Sequence, residues 1–247
     1  AANSAPTLGD FTYEDSNTAT KNITEDNRLF IQNHSVVKVT PGTATAKNGA
    51  TITNYTASCN GLSVSNSTGA ALSVGKITKS GNVMVTLTIT DSRGYTTGVS
   101  KAVTVIPYSK PKVSSITLRR TNDIEAEMQL IFSGSISAVS VNGVQKNSVV
   151  YVRYRYKKTN ESSYGAFTSI LGGTTRSGTS FSYSNLELCN LDANSSYDFH
   201  LQVQDKRYSA SSLDLYFTVP QGTPPIALRK KKVGINTPEP QAMLDVA

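Results

Sequence analysis

Two stretches of this chain, 114 positions apart, carry the same period-two alternation in the same register, which restricts the fold more than any other feature. In the first, Val83, Val85, Leu87 and Ile89 alternate with Met84, Thr86, Thr88 and Thr90. In the second, Phe199, Leu201 and Val203 take the places of Val85, Leu87 and Ile89. Asp205 and Arg207 take those of Asp91 and Arg93, and Phe217–Val219 those of Val103–Val105. Successive residues of an extended strand point to opposite faces, so each stretch predicts a strand with one buried side. "DSRGYTT" supplies a hairpin turn whose Gly94 tolerates positive φ, and turn chemistry accounts for the acid at Asp91.

A recurring unit of this length, with 17% charged residues and abundant Thr, Ser, Asn, Val and Gly, predicts an all-β chain. The expected organisation is two tandem sandwiches, an immunoglobulin-like one over 1–107 and a fibronectin type III-like one over 108–221. A short extended C-terminal segment over 222–247 follows. Pro107 and Pro111 bracket the link between the sandwiches and keep it extended. In the second copy Leu191 is followed six residues on by Tyr197 and then by alternating Phe199, Leu201 and Val203. That spacing is similar to a tyrosine corner, so Tyr197 is expected to be a structural anchor whose hydroxyl bonds back to the upstream backbone. Cys59 and Cys189, 130 positions apart, are expected to be small buried apolar residues, not a bridge or a metal site.

Catalytic chemistry finds little to use. The two histidines fall in different copies, and His200 is expected to point away from the core. No nucleophile elbow, zinc-binding helix motif, phosphate-cradling loop or Cys-x-x-Cys pair occurs, so the chain is read as a non-enzyme with no cofactor or metal. Asp10, Glu14, Asp15, Glu25 and Asp26 match no calcium-loop spacing and predict a solvated acidic edge. The net charge of +7 is spread over all three segments, which argues against nucleic acid as a partner. No run of about 18 apolar residues predicts membrane insertion. One strand does suggest a ligand. In "VVYVRYRYKK", Val150, Val152, Tyr154 and Tyr156 take one face and Tyr151, Arg153, Arg155 and Lys157 the other. Alternating Arg and Tyr on an exposed face can stack a sugar or nucleobase, so Tyr151, Arg153 and Arg155 are candidate glycan contacts; cross-strand packing with long side chains covering a solvent face is the alternative.

Past the second copy the chain changes character, and Ile226 to Val233 reads as one basic extended strand. Its "VGINTPEPQAMLDVA" resembles the Val-Gly-Ile-x-Thr-x-x-Pro…Leu-Asp-Val phrase of phage tail fibre and tip proteins. "TDSRGYTTGVSKAVTVIPYSKPKVSSITLRRTN" resembles minor structural proteins of siphophages and prophages of streptococci and related Gram-positive hosts. The resemblance implies a structural component of a phage tail appendage, assembled in the host cytoplasm and carried on the virion. The tandem sandwiches would act as a spacer presenting a distal host-attachment module to the cell wall. It implies other tail proteins, and host cell-wall polysaccharide, as partners. It makes Val233, Gly234, Ile235, Leu244 and Val246 a candidate assembly segment for a homo-trimer in a longer form of the protein, the opening "AANSAP" also reading like the interior of a longer chain. It brings no catalytic residues. A carbohydrate-binding module and the stalk of a Gram-positive surface adhesin are the alternatives these residues leave open.

Overall fold

In a computed structural model, residues 4–207, 212–222, 226–235, 237 and 240–246 are described. The chain is all-β and sandwich-like. It divides into two compact units, and the division is not a single cut: Ala1–Ser109 is joined by Ser137–Asn147 in the first, and Lys110–Ile136 with Ser148–Ala247 forms the second.

The first unit faces a five-stranded sheet against a three-stranded one. The larger is ordered Phe30–Ile31, Thr96–Ile106, Gly81–Asp91, Ile52–Cys59, Leu62–Asn66, and the smaller Thr12–Asp15, Val36–Thr40, Leu72–Lys76. Alternation places Val83, Val85 and Leu87 in a core with Phe11, Phe30, Val37, Val39, Val103 and Val105, while Met84 is exposed. Phe30–Ile31 runs parallel to the end of Thr96–Ile106; the other pairings are antiparallel. The turn after Asp91 is held by its own carboxylate, which accepts from the backbone N–H groups of Arg93 (2.9 Å) and Tyr95 (3.1 Å). The Arg93 guanidinium adds a 2.6 Å ion pair. Burial pushes this carboxyl up, and the Arg93 and Tyr95 bonds more than reverse it, leaving its pKa below the usual aspartate value. At the aligned position of the second unit, Asp205 likewise accepts from the N–H two residues on, that of Arg207, at 2.9 Å.

Of the acidic residues near the N-terminus, Asp10 and Glu25 are exposed to solvent, but Asp15 departs from the expected solvated edge. Asp15 is completely buried. One carboxylate oxygen accepts from the N–H groups of Asn17 (2.9 Å) and Val36 (3.0 Å). The other accepts from the hydroxyls of Ser35 (2.6 Å) and Thr20. Ser35 Oγ in turn accepts from Ile31 N–H at 2.7 Å. A buried carboxylate persists only when its lone pairs are filled, and here neutral donors fill them. This knot seats the short helix Thr18–Thr24, capped by the Asn17 side chain on Ala19 N–H. Asp10 pairs with Lys101, Glu14 with Lys38 and Glu25 with Lys146.

The second unit packs two four-stranded sheets face to face. One runs Lys112–Arg120, Glu127–Ser135, Ser180–Asn190, Thr175–Ser177; the other Thr168–Ser169, Val149–Lys158, Tyr197–Asp205, Leu213–Val219. Phe132, Phe181, Tyr183, Tyr154 and Phe199 fill the space between them with aromatic pairs 5.6–6.2 Å apart. Cys189 lies beside this core, and burial pushes its thiol up to about 11, which removes it as a nucleophile at neutral pH. Tyr197 is buried, and its ring meets Tyr156 edge-on at 6.0 Å. Its hydroxyl makes no backbone bond among the described hydrogen bonds, because an arginine holds the carbonyls it was expected to reach. Arg120, 1% exposed, donates to Ser195 O (2.8 Å), Asp192 O (3.0 Å), Glu125 O (3.0 Å), Pro220 O (3.0 Å) and Leu191 O (3.5 Å). A fork of N–H donors fits such a cage of oxygens, and a single phenolic O–H cannot.

The C-terminal segment is not one extended strand. Ile226–Arg229 turns back through Lys230, at φ 47, onto Lys232–Ile235, which pairs in parallel with Leu244–Val246. The basic run is thus a hairpin turn, with Arg229 opposite Lys232. Gly234 has a specific reason to be glycine: a Cβ there would lie 2.4 Å from Thr237 O and 3.4 Å from Pro240 Cβ. In "GINTPEP" the Thr and Pro that follow Gly234 at +3 and +6, Thr237 and Pro240, are the residues that approach it.

Candidate glycan-contact face

Alternation in Val149–Lys158 sends Val152 and Tyr154 into the core and Tyr151, Arg153 and Arg155 to the outer face. Strand register then builds two rows across that face. Arg153 lies opposite Gln202, which lies opposite Asp214; Arg155 lies opposite His200, which lies opposite Tyr216. Asp214 is the root of both rows. Its Oδ1 accepts from Gln202 Nε2 at 2.8 Å and meets His200 Nε2 at 2.7 Å. Gln202 Oε1 accepts from Arg153 Nε–H at 2.7 Å, and His200 Nδ1 accepts from Arg155 Nε–H at 3.0 Å. Because Nε–H of arginine can only donate, Nδ1 of His200 is the acceptor and its proton is on Nε2, aimed at Asp214. Burial raises the Asp214 carboxyl, and hydrogen bonds from Ser212, His200 and Gln202 bring its pKa below the usual aspartate value.

A loop carrying Tyr164 and Phe167 covers the middle of the face. The guanidinium carbons of Arg153 and Arg155 lie 4.3 and 4.4 Å from the centroid of the same Phe167 ring, and Arg155 also lies 5.0 Å from Tyr164. His200 stacks on Tyr216 at 4.4 Å and 16°. His200 therefore points away from the core, yet it is only 3% exposed, because Tyr216, Phe167 and Tyr164 surround it. Tyr151 and Tyr216 are exposed, at 41% and 62%, with the Arg153 guanidinium carbon 4.9 Å from the Tyr151 ring centroid. Lys157 is neutralised by Asp198 at 3.4 Å. Sequence reading found Tyr151, Arg153 and Arg155 but missed Tyr164, Phe167, Asp214 and Tyr216. The aromatic spacing in "SSYGAFTS" was the only local signal for the loop residues.

The candidate assembly residues occupy a different place in the same unit. Cross-strand pairs put Ile226, Leu228, Val233, Ile235, Leu244 and Val246 on one face of the three-stranded C-terminal sheet. Leu228 is 74% exposed, and Ile226, Ile235, Leu244 and Val246 are exposed as well. Gly234 lies on the opposite face, under Thr237 and Pro240.

Among the described residues no grouping of three or more His, Cys, Asp or Glu could hold a metal ion, and no helix is long and apolar enough to cross a membrane. Two units with sandwich-like packed sheets and an outer face of arginines and aromatics define a tandem β-sandwich protein. The chain belongs to the family described as "Siphovirus protein of unknown function (DUF859)", whose model matches residues 1–247. Among solved structures it is similar to a Ca2+-stabilised adhesin with which an Antarctic bacterium binds ice (13% identity, TM-score 0.39, 87% of this chain and 49% of that one). It is also similar to three N-terminal domains of the outer capsid protein Hoc of bacteriophage RB49 (10% identity, TM-score 0.37, 85% and 69% covered). A third likeness is to carbohydrate-binding modules of the β-sandwich superfamily (12% identity, TM-score 0.32, 88% and 96% covered). The chain spans about half the length of the adhesin. No curated protein matches.

Proposed function

We propose that this chain is a non-catalytic structural component of a siphovirus tail appendage, a tandem-sandwich spacer that serves host attachment and associates with copies of itself. Membership of a siphovirus family over its whole length supports a place in the virion and weighs against the stalk of a bacterial surface adhesin. Antibodies against the chain should label the tails of intact particles; label confined to heads, or absent from particles, would remove the reading.

The observation that carries self-association is the bare aliphatic face of the C-terminal sheet. Six aliphatic side chains from three strands stand on it, and several are more than half exposed. A contiguous apolar surface of this kind costs free energy in water until something covers it. An identical copy offers the same face and adds no new charge beyond the basic turn at Arg229–Lys232, which can remain at the solvent rim. Mass measurement in solution should give a homo-oligomer, a trimer in the form we favour. Leu228→Ser with Leu244→Ser should give a monomer with unchanged melting of the sandwiches. A wild-type chain that stays monomeric at about 100 μM, far above the Kd of a stable assembly, would sink it.

A second reading is favoured by one observation. Arg153 and Arg155 are half-buried, oriented by their Nε–H groups and flanked by the exposed side chains of Tyr151 and Tyr216. We propose that this face contacts cell-wall glycan while the sandwiches act as the spacer.

A further inference from the structure

Resting on that second reading, we infer that the Arg153–Phe167–Arg155 cluster takes an anionic glycan: a saccharide or polyol bearing phosphate or carboxylate groups. Three features of the cluster point to an anion. Both guanidinium groups lie against one ring, at 4.3 and 4.4 Å, so two positive charges are held close together. Among the described residues neither arginine forms an ion pair, and the side-chain hydrogen bonds they make use Nε–H. Their terminal amino groups, the part of the fork that grips a phosphate or carboxylate in two-point fashion, are uncommitted.

The orientation is held from behind. Asp214 fixes Gln202 and His200, and each fixes one arginine. This carboxylate reaches the guanidinium groups only through neutral side chains, so it orients them without ion-pairing to them. Asp214 is a positioning residue, and the two arginines with Tyr151 and Tyr216 are the contact residues. A neutral sugar needs the aromatic faces but gains little from a second guanidinium beside the first. An anion relieves the repulsion between them and fills the free donors.

Single-stranded nucleic acid also combines phosphate with stacking, but it needs a run of cations along its backbone. Here the next cation on the strand, Lys157, is neutralised by Asp198 at 3.4 Å, and the positive charge is confined to two residues.

The test is calorimetric titration of the full chain with four probes: a glycerol-phosphate oligomer, an oligogalacturonate, a neutral N-acetylglucosamine oligomer and oligo(dT). At least one of the two anionic glycans should bind about ten-fold or more tighter than the neutral oligomer, with salt weakening the binding. Which of the two wins identifies phosphate or carboxylate. Arg153→Gln with Arg155→Gln should reduce that affinity at least about ten-fold at an unchanged melting temperature, matching the loss of two charged forks. Should that pair unfold the sheet, Tyr216→Ala, at an exposed position, should still cost several-fold in anionic-glycan affinity. Equal affinity for the neutral oligomer, untouched by the arginine changes, overturns the anion inference and leaves the glycan reading standing. Binding of no glycan at all overturns both, and tightest binding to oligo(dT) overturns both in favour of nucleic acid.

Discussion

Arg120→Met should destabilise the second unit by about 3–4 kcal/mol, the cost of leaving buried carbonyls unpaired after their charged donor is removed. Methionine keeps most of the volume and the flexible stem, so packing loss is small and hydrogen bonding dominates. The carbonyls of Glu125, Leu191, Asp192, Ser195 and Pro220 come from three separate stretches of chain that meet at one end of the sandwich. Without the guanidinium they must draw in water or move apart. Burial lowers the Arg120 pKa, yet arginine remains protonated at any pH the fold survives. Urea unfolding followed by tyrosine fluorescence is the measurement. The two units have separate cores, so the second unit's transition should shift and the first unit's should stay in place. Tyr197→Phe, which removes no described backbone bond, should have a much smaller effect. If it costs as much as Arg120→Met, the arginine is not what holds this corner.

Asp15→Ala should destabilise the first unit by about 3–4 kcal/mol, because four donors lose their acceptor in a site closed to water. The Asn17 and Val36 N–H groups and the Thr20 and Ser35 hydroxyls all converge on this carboxylate. Asp15→Asn keeps one carbonyl oxygen for the two backbone donors and turns an NH2 toward hydroxyls that can rotate to accept from it. It should recover roughly half of the loss. Thermal unfolding of the three proteins gives the comparison. Equal melting temperatures for Asp15→Ala and wild type would mean that the knot contributes nothing.

The strands of both units were legible because side-chain direction along an extended chain is a local property. Val83, Val85 and Leu87 had to share a face whatever they faced, and so did Val152 and Tyr154 opposite Arg153 and Arg155. Turn chemistry was legible for the same reason, since Asp91 bonds to N–H groups two and four residues on. The reading failed where a residue's partner is distant in sequence. Asp15 looked like one of several solvated acids because Ser35 and Val36 reach it from another strand, about twenty residues away. The corner was assigned to the Tyr197 hydroxyl because nothing local marks Arg120, which reaches Pro220 across 100 positions.

The candidate face divides along the same line. By itself the sequence determined that Tyr151, Arg153 and Arg155 lie together on an outer face, and that Val233, Ile235, Leu244 and Val246 belong to extended segments. Only the tertiary structure decided that Asp214 and His200 orient those arginines, that Phe167 lies against both, and that the C-terminal aliphatic residues gather on one bare face. Strand periodicity follows from bond geometry within a few residues. Register between strands, and the fold of a loop over a sheet, follow from packing and hydrogen bonding between residues that only the folded chain brings within reach.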